Sequence, residues 1–324
     1  MTIPAFFGRT VSDIPIPQAG VSLAILSFGN LVASLIPMTW RPPLYGICAI
    51  AGIVLLTPVI ARHLIAFRDD ATRSALAADY ANPLLAPLAA TMPMSMIVFS
   101  TYLARIGGIG LRCAQMIWWF GVLCIIPLMA YLAGRFILCG FQLANACPAW
   151  LVGFVGILVA AVTSDAVGFA GTGSIIFKAG AVIDVLMLVL ISNRIARHGL
   201  PRTISPTVTI YSAPISLLVA SYYGTTTNPD PLVMLMLVAC SQTLFLFVSA
   251  LLPWMLSAPP SPAYAAFTFP LVITATALHD ALLVFTHNGW SIPSWAYYLQ
   301  FGETALAGGM IVLATKVLLR GTTS

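Results

Sequence analysis

Residues 231 to 253 read PLVMLMLVACSQTLFLFVSALLP, a run of 23 residues without one charged side chain. A helix of that length rises about 34 Å at 1.5 Å per residue, enough to cross the roughly 30 Å hydrocarbon core of a bilayer. Nine further apolar stretches accompany it, separated only by short polar breaks. The sequence therefore predicts ten membrane spans, at residues 18 to 38, 44 to 67, 83 to 105, 111 to 134, 148 to 168, 172 to 193, 205 to 224, 231 to 253, 263 to 286 and 294 to 317.

The composition agrees with a membrane protein. Of the 324 residues, 60% are hydrophobic and 7% are charged, too few ionisable groups to solvate the surface of a soluble protein of this size. The fold class predicted is an all-α integral membrane protein with one transmembrane domain over residues 16 to 319. Residues 1 to 15, which contain Arg9 and Asp13 and no apolar core with a cleavage site, are predicted to be a retained tail, and residues 320 to 324 a second tail.

The basic residues predict the orientation, because Lys and Arg are retained on the cytoplasmic side. An even number of spans places both termini on the same side. With the termini inside, the cytoplasmic segments hold ten basic residues, namely Arg9, Arg62, Arg68, Arg73, Arg135, Arg194, Arg197, Arg202, Lys316 and Arg320. The other side then holds only Arg41, Arg105 and Arg112. Both termini are predicted to be cytoplasmic, in the cell (inner) membrane.

The prolines reveal an internal repeat. One lies at the start of each odd-numbered span, at Pro17, Pro83, Pro148, Pro206 and Pro262, with spacings of 66, 65, 58 and 56 residues. This period is the length of a helical hairpin, so the chain reads as five hairpins in series.

Further prolines are predicted to bend the odd spans from within, at Pro87, Pro93, Pro214 and Pro270. Broken helices survive in a bilayer only where protein or a water-filled cavity satisfies the freed backbone groups. We therefore expect the odd helices to form an inner ring around a cavity and the even helices an outer layer. Small or hydroxylated positions such as Gly20, Ser22 and Ser95 would line that cavity and interact weakly with a passing ion.

Soluble-enzyme motifs are missing from the sequence: it contains no G-x-S-x-G, no H-E-x-x-H and no P-loop. The six cysteines show neither C-x-x-C spacing nor a nearby histidine, so no metal, cofactor or disulfide is expected. No basic run with interleaved aromatics suggests nucleic acid.

Six ionisable residues fall within predicted spans, and each is costly in hydrocarbon: Asp165, Lys178, Asp184, His279, Asp280 and Glu303. Only Asp184 is expected near the middle of the membrane, either as a structural hydrogen-bonding group or in transport. Lys178 and Glu303 are expected within reach of water near an outer boundary. His279 and Asp280 are either solvated in an outer vestibule or a proton-binding pair.

The ninth span carries the segment Ala266-Phe267-Thr268-Phe269-Pro270, and here the chain resembles the tellurite-resistance/dicarboxylate transporter family, with its TehA-like channels and plant slow anion channels. Further similarity lies at Ile16-Pro17 and Gly20-Val21-Ser22-Leu23, at Asn82-Pro83 and Met92-Pro93, at Cys147-Pro148 and at Ala213-Pro214. The likeness covers about residues 14 to 290.

The resemblance implies five helical hairpins in quasi-fivefold arrangement around a pore, assembled as homotrimers with one pore per subunit. It also implies that the second phenylalanine of the motif, Phe269, closes the pore, with Thr268 and Pro270 beside it. The substrates implied are small anions: inorganic anions, oxyanions such as tellurite or sulfite, or C4-dicarboxylates such as malate. A channel and a proton-coupled carrier both remain open.

Two other classes compete with this interpretation. A drug/metabolite-type exporter of two inverted five-span halves would show similarity between residues 1 to 160 and 161 to 324, whereas the observed period is near 60 residues. A polytopic enzyme acting on lipid head groups would need a polar catalytic cluster, and the largest inner polar loop, 61 to 82, has no nucleophile pattern.

Overall fold

The fold is that of a computed structural model, which describes residues 5, 6 and 9 to 320. The outermost parts of both predicted tails, at 1 to 4 and 321 to 324, lie outside these residues, as do positions 7 and 8. Twelve α-helices are present among the described residues: α1 Gln18–Leu35, α2 Arg41–Ile65, α3 Asp70–Ala81, α4 Thr91–Ala104, α5 Gly108–Leu132, α6 Ala149–Val155, α7 Leu158–Thr163, α8 Ala170–His198, α9 Ala213–Thr225, α10 Pro231–Leu256, α11 Phe269–His287 and α12 Ser294–Arg320.

Shorter elements connect or precede these helices. Near the N-terminus β1 (Ala5–Phe6) pairs antiparallel with β2 (Arg9–Thr10). The 3₁₀ segments are Val11–Asp13, Met38–Trp40, Ala86–Ala90, Leu143–Asn145, Asp165–Val167, Arg202–Ser212 and Pro262–Phe267, and Ala133–Leu138 forms a π-helical end to α5. The prediction of a helical membrane protein is confirmed.

Nine helical elements within the described residues are long and apolar enough to cross a membrane. The predicted fifth span, 148 to 168, differs because its helix is interrupted at Gly156 and Ile157 and continues as the short α6 and α7. The predicted polar loop 61 to 82 also differs, because it contains α3. Asp69 begins that helix as an N-cap, its carboxylate accepting a 2.7 Å hydrogen bond from the backbone N–H of Thr72.

Burial separates the membrane helices into two groups. In α1, α4, α9 and α11, taken with the 3₁₀ segments that lead into them, 61% to 89% of the most apolar stretch is buried within the protein. In α2, α5, α8, α10 and α12 the share is only 17% to 33%. The second group therefore presents most of its apolar surface outward, as helices facing lipid do.

The buried elements pack in a closed cycle. Helix α1 packs against α4, α4 against α7, α7 against α9, α9 against α11, and α11 returns to α1. We call these five helices, with the short segments that lead into them, the inner cycle. The exposed helices pack behind it: α2 on α1, α5 on α4, α8 on α7 and α9, α10 on α9 and α11, and α12 on α11 and α1.

The prolines of the inner cycle lie at junctions between 3₁₀ and α-helix, which corrects the expectation that they bend continuous helices. Pro93, Pro214 and Pro270 each fall in the first turn of an α-helix that follows the 3₁₀ segment 86 to 90, 202 to 212 or 262 to 267. A proline costs little there, because first-turn backbone N–H groups have no partner within the helix. Pro87 lies inside the 3₁₀ segment itself.

Close packing holds α6 in the cycle. A Cβ atom added to Gly153 would lie 2.9 Å from the Cβ of Pro87, inside normal contact distance. Glycine at this position therefore lets α6 approach the 3₁₀ segment 86 to 90 closely.

One ion pair ties three elements together on the side where the inner cycle begins. The guanidinium of Arg62, at the end of α2, lies 2.6 Å from the carboxylate of Asp79 on α3 and donates a 3.0 Å hydrogen bond to the carbonyl of Ile14. Arg62 is 3% exposed. The bonds fix α3 and the segment before α1 against α2.

Candidate functional site

Two cavities lie along the axis of the inner cycle. The lower cavity, at the end where its elements begin, has a volume of about 270 Å³. The upper cavity, at the end where they finish, has a volume of about 230 Å³. All five members of the cycle contribute wall residues to both.

Among the residues that the structure describes, only Phe269 and Leu217 belong to the walls of both cavities. Phe269 is the first residue of α11 and is 8% exposed. Thr268 before it has φ −94° and ψ −82°, outside the helical region, so the backbone turns between the 3₁₀ segment and α11 at this point. Phe269 therefore lies where the two cavities approach each other.

Phe267 provides the contrast. It is fully buried, and its ring packs edge-on against Tyr264 with centroids 5.1 Å apart. It lines neither cavity. Two phenylalanines of one motif therefore occupy different environments.

The wall of the lower cavity is almost wholly apolar and carries no charged side chain. Three predicted pore residues lie on it: Gly20 of α1, Pro214 of α9 and Pro270 of α11. Polar groups there are hydroxyls such as those of Thr91, Thr207 and Ser261. An ion in this cavity would meet few groups able to replace its hydration shell.

The upper cavity is more polar. His279 and Asp280 both lie on its wall, together with Ser27, Asn30 and Thr163. The Asn30 amide donates a 2.9 Å hydrogen bond to the Thr101 hydroxyl and accepts one of 3.3 Å from Arg105. Arg105 in turn lies over the ring of Tyr45, 4.3 Å from its centroid.

His279 and Asp280 share the cavity, yet no hydrogen bond joins them among the described residues. The Nδ1 atom of His279 instead lies 2.8 Å from the amide nitrogen of Gln300 on α12. Asp280 is 8% exposed and, within the described part of the chain, is the only carboxylate lining either cavity. The two residues therefore form no direct pair.

Four other predicted pore positions lie on neither cavity wall. Their hydroxyls donate to backbone carbonyls instead. Ser22 donates to Gly52 at 2.7 Å and Ser95 to Ala19 at 2.9 Å, each on a neighbouring helix, whereas Thr268 donates locally to Ala265, three residues before it, at 2.7 Å. The backbone carbonyl of Pro93 packs against α5, 3.0 Å from the position that a Cβ at Gly121 would take. Within a bilayer a hydroxyl is more stable when it is hydrogen-bonded to a backbone carbonyl, so these side chains turn toward carbonyls rather than toward a cavity.

The remaining ionisable residues lie behind or outside the cavities. Lys178 and Asp165 are exposed. Asp184 on α8 is fully buried, and neither carboxylate oxygen has a hydrogen-bond partner among the described residues. Glu303 on α12 is 2% exposed, so the expectation that it reaches water is wrong: α12 turns this side chain inward against its neighbours.

Sequence reasoning missed Leu217 and Gln300. Leu217 has no chemical signal that separates it from the other leucines of the spans. Gln300 could have been found as one of the few amides within a predicted span.

The fold defines a multi-pass helical membrane protein with two cavities between its inner helices. The sequence profile of the voltage-dependent anion channel family (SLAC1) matches residues 18–315. The chain therefore belongs to this family, and the recognised resemblance is confirmed. It is a family of channels and transporters rather than enzymes, and membership implies anion transport through a channel. No curated protein matches the chain significantly.

Proposed function

We propose that the inner cycle encloses one anion pore per chain, that the ten predicted spans form five hairpins around it, and that Phe269 is its gate. The observation that carries the proposal is that Phe269 lines both the lower and the upper cavity. A narrow apolar constriction stops ions by steric closure and by excluding a continuous water column. Removing the ring would join the two cavities.

The pore walls support broad selectivity. Neither cavity is lined by a Lys or Arg that could bind an anion tightly. Discrimination should then follow size and dehydration cost, with inorganic anions, oxyanions such as sulfite or tellurite, and malate as candidate substrates.

Flux of chloride, nitrate, sulfite and malate into liposomes holding the purified protein tests this proposal. We expect several of these anions to pass, in the order of their ease of dehydration. Acceptance of one anion alone with micromolar affinity would contradict it.

Asp280 supports a role for protons in this pore. An ionised carboxylate in the upper cavity repels an anion, since two like charges at close range oppose each other strongly where the local dielectric is low. We propose that Asp280 is neutral when an anion passes, so that flux rises as the upper side is acidified. Asp280→Asn should give high flux at every pH between about 5 and 8, whereas Asp165→Asn, on an exposed side chain, should keep the wild-type response.

Orientation and assembly complete the proposal. The distribution of basic residues supports cytoplasmic termini in the inner membrane of the cell, with the lower cavity opening inward. The resemblance supports a homotrimer, and exposed aromatics such as Trp295 and Phe301 on α12 offer surface for lipid or for a second copy. Native mass spectrometry from detergent would distinguish a trimer from a monomer.

A further inference from the structure

Glu303 and Gln242 form a buried polar pair among apolar helices. Glu303 lies on α12 and Gln242 faces it from α10. The two side chains lie close together, yet neither carboxylate oxygen and neither amide atom makes a hydrogen bond of normal geometry within the described residues, and all four atoms are buried from solvent. Four unsatisfied polar atoms in one place are costly within a bilayer.

Protonation of Glu303 would allow all four of these polar atoms to form hydrogen bonds. An ionised carboxylate has only acceptors, so it can use the amide N–H of Gln242 but leaves the amide oxygen without a donor. A protonated carboxyl group has one O–H donor and one carbonyl acceptor, while an amide has an N–H donor and a carbonyl acceptor. The two groups can therefore form a cyclic pair of hydrogen bonds that satisfies all four atoms.

No cationic side chain forms an ion pair with Glu303 within the described residues. Helix α12 packs against α1, α11 and the 3₁₀ segment 262 to 267, and Gln242 of α10 reaches the Glu303 side chain. Helix α1 has no ionisable side chain, α10 has only Cys240, and the 3₁₀ segment has only Tyr264. Helix α11 supplies His279, Asp280 and His287, while α12 itself adds Tyr297, Tyr298, Lys316 and Arg320. No salt bridge to Glu303 is present among the described residues.

A polar route leads from this pair toward the upper cavity. Gln300 lies one helical turn before Glu303 on α12, and residues three apart face the same side of a helix. The amide nitrogen of Gln300 lies 2.8 Å from Nδ1 of His279, which is on the wall of the upper cavity.

We infer that Glu303 and Gln242 form a buried proton-binding site, and that Gln300 and His279 connect it to the upper cavity. Its proton would be held as a carboxylic acid and exchanged with water in that cavity. The part of the inference that concerns conduction rests on the proposed anion pore, whereas the proton site itself does not.

Infrared spectroscopy of the purified protein tests the site. The difference spectrum of wild type minus Glu303→Gln should show the carbonyl band of a protonated carboxylic acid at neutral pH. Gln242→Leu should shift that band, because it removes the hydrogen bonds to the Glu303 carboxyl group. Gln300→Leu should keep the band but slow its shift in D₂O at least tenfold. Asp184→Asn is the matched control, a second buried carboxyl group that should leave the Glu303 band unchanged.

If Glu303→Gln loses no carboxylic acid band, the proton-binding site is refuted. If the rate of deuterium exchange at Glu303 is unchanged in both Gln300→Leu and His279→Phe, the route through these residues is refuted. Anion flux in liposomes is measured in parallel. If wild type carries no anion, the proposed function fails while the infrared result still decides the proton site.

Discussion

Replacing Phe269 by alanine should open the pore. Phe269 lines both cavities, of about 270 and about 230 Å³, so we expect removal of its ring to create one continuous space along the inner cycle. An anion at that level could then keep water that the intact ring excludes. We expect a strong rise in conductance with little change in assembly.

The size of the effect follows from hydration. A hydrogen bond to a charged group contributes about 1.5 to 3 kcal/mol net, so two retained water contacts would lower the barrier by about 3 kcal/mol at the least. Each 1.36 kcal/mol corresponds to tenfold in rate, which gives an increase of about 100-fold. The cost in stability should fall near the lower end of about 3 to 5 kcal/mol for Phe→Ala, because Phe269 already borders open space on both sides.

Chloride current across planar bilayers, normalised to the amount of folded trimer or monomer, measures the change. Phe267→Ala is the control, since that ring is fully buried beside Tyr264 and touches neither cavity. It should lose stability without gaining current. Leu217→Ala, the other shared wall residue, should gain less than Phe269→Ala. Equal and low currents in all three folded variants would refute the gate assignment.

Three further outcomes are expected. Arg62→Met should destabilise the protein by about 3 kcal/mol by leaving Asp79 without its cation, which thermal unfolding in detergent measures; an unchanged midpoint would contradict the packing described. Gly153→Ala should cost about 1 to 3 kcal/mol by overpacking, seen in the same assay against Gly134→Ala, where no atom lies within 4 Å of the added Cβ. Burial raises the pKa of Tyr80, on α3 outside the membrane spans, to about 12. The unfolded chain loses this proton near pH 10, so the free energy of unfolding should fall as pH rises from about 10 toward 12. In an absorbance titration Tyr80→Phe should lack one late step, and titration of every tyrosine near 10 in the wild type would contradict this.

The helical membrane class could be predicted from the sequence because length and apolarity alone decide which segments can cross a bilayer. Residues 231 to 253 needed no tertiary information, and α10 covers them. The fifth span failed as a continuous helix because nothing in residues 148 to 168 other than Gly153, Gly156 and Gly168 marks a break. Helix α3 was missed because the polar stretch was read only by charge, although Asp69 is a suitable N-cap residue.

The candidate site was predictable only where a residue had a distinctive neighbour in sequence. Phe269 was singled out through its motif, and in the structure it lines both cavities, whereas its role as a gate stays a prediction. Ser22 and Ser95 were misplaced because a hydroxyl's direction depends on which backbone carbonyl a neighbouring helix offers, here those of Gly52 and Ala19. The His279 to Gln300 contact joins two helices and leaves no local pattern.

The closed cycle has a consequence for biogenesis. Its last contact joins the first and ninth predicted spans, where the Thr268 hydroxyl lies 3.4 Å from the carbonyl of Gly20, 248 positions apart in the chain. During synthesis the face of α1 that contacts α11 stays uncovered until α11 has been made. Until then a chaperone, the insertion machinery or lipid must shield that face, so truncation before α11 should yield chains that insert but are degraded.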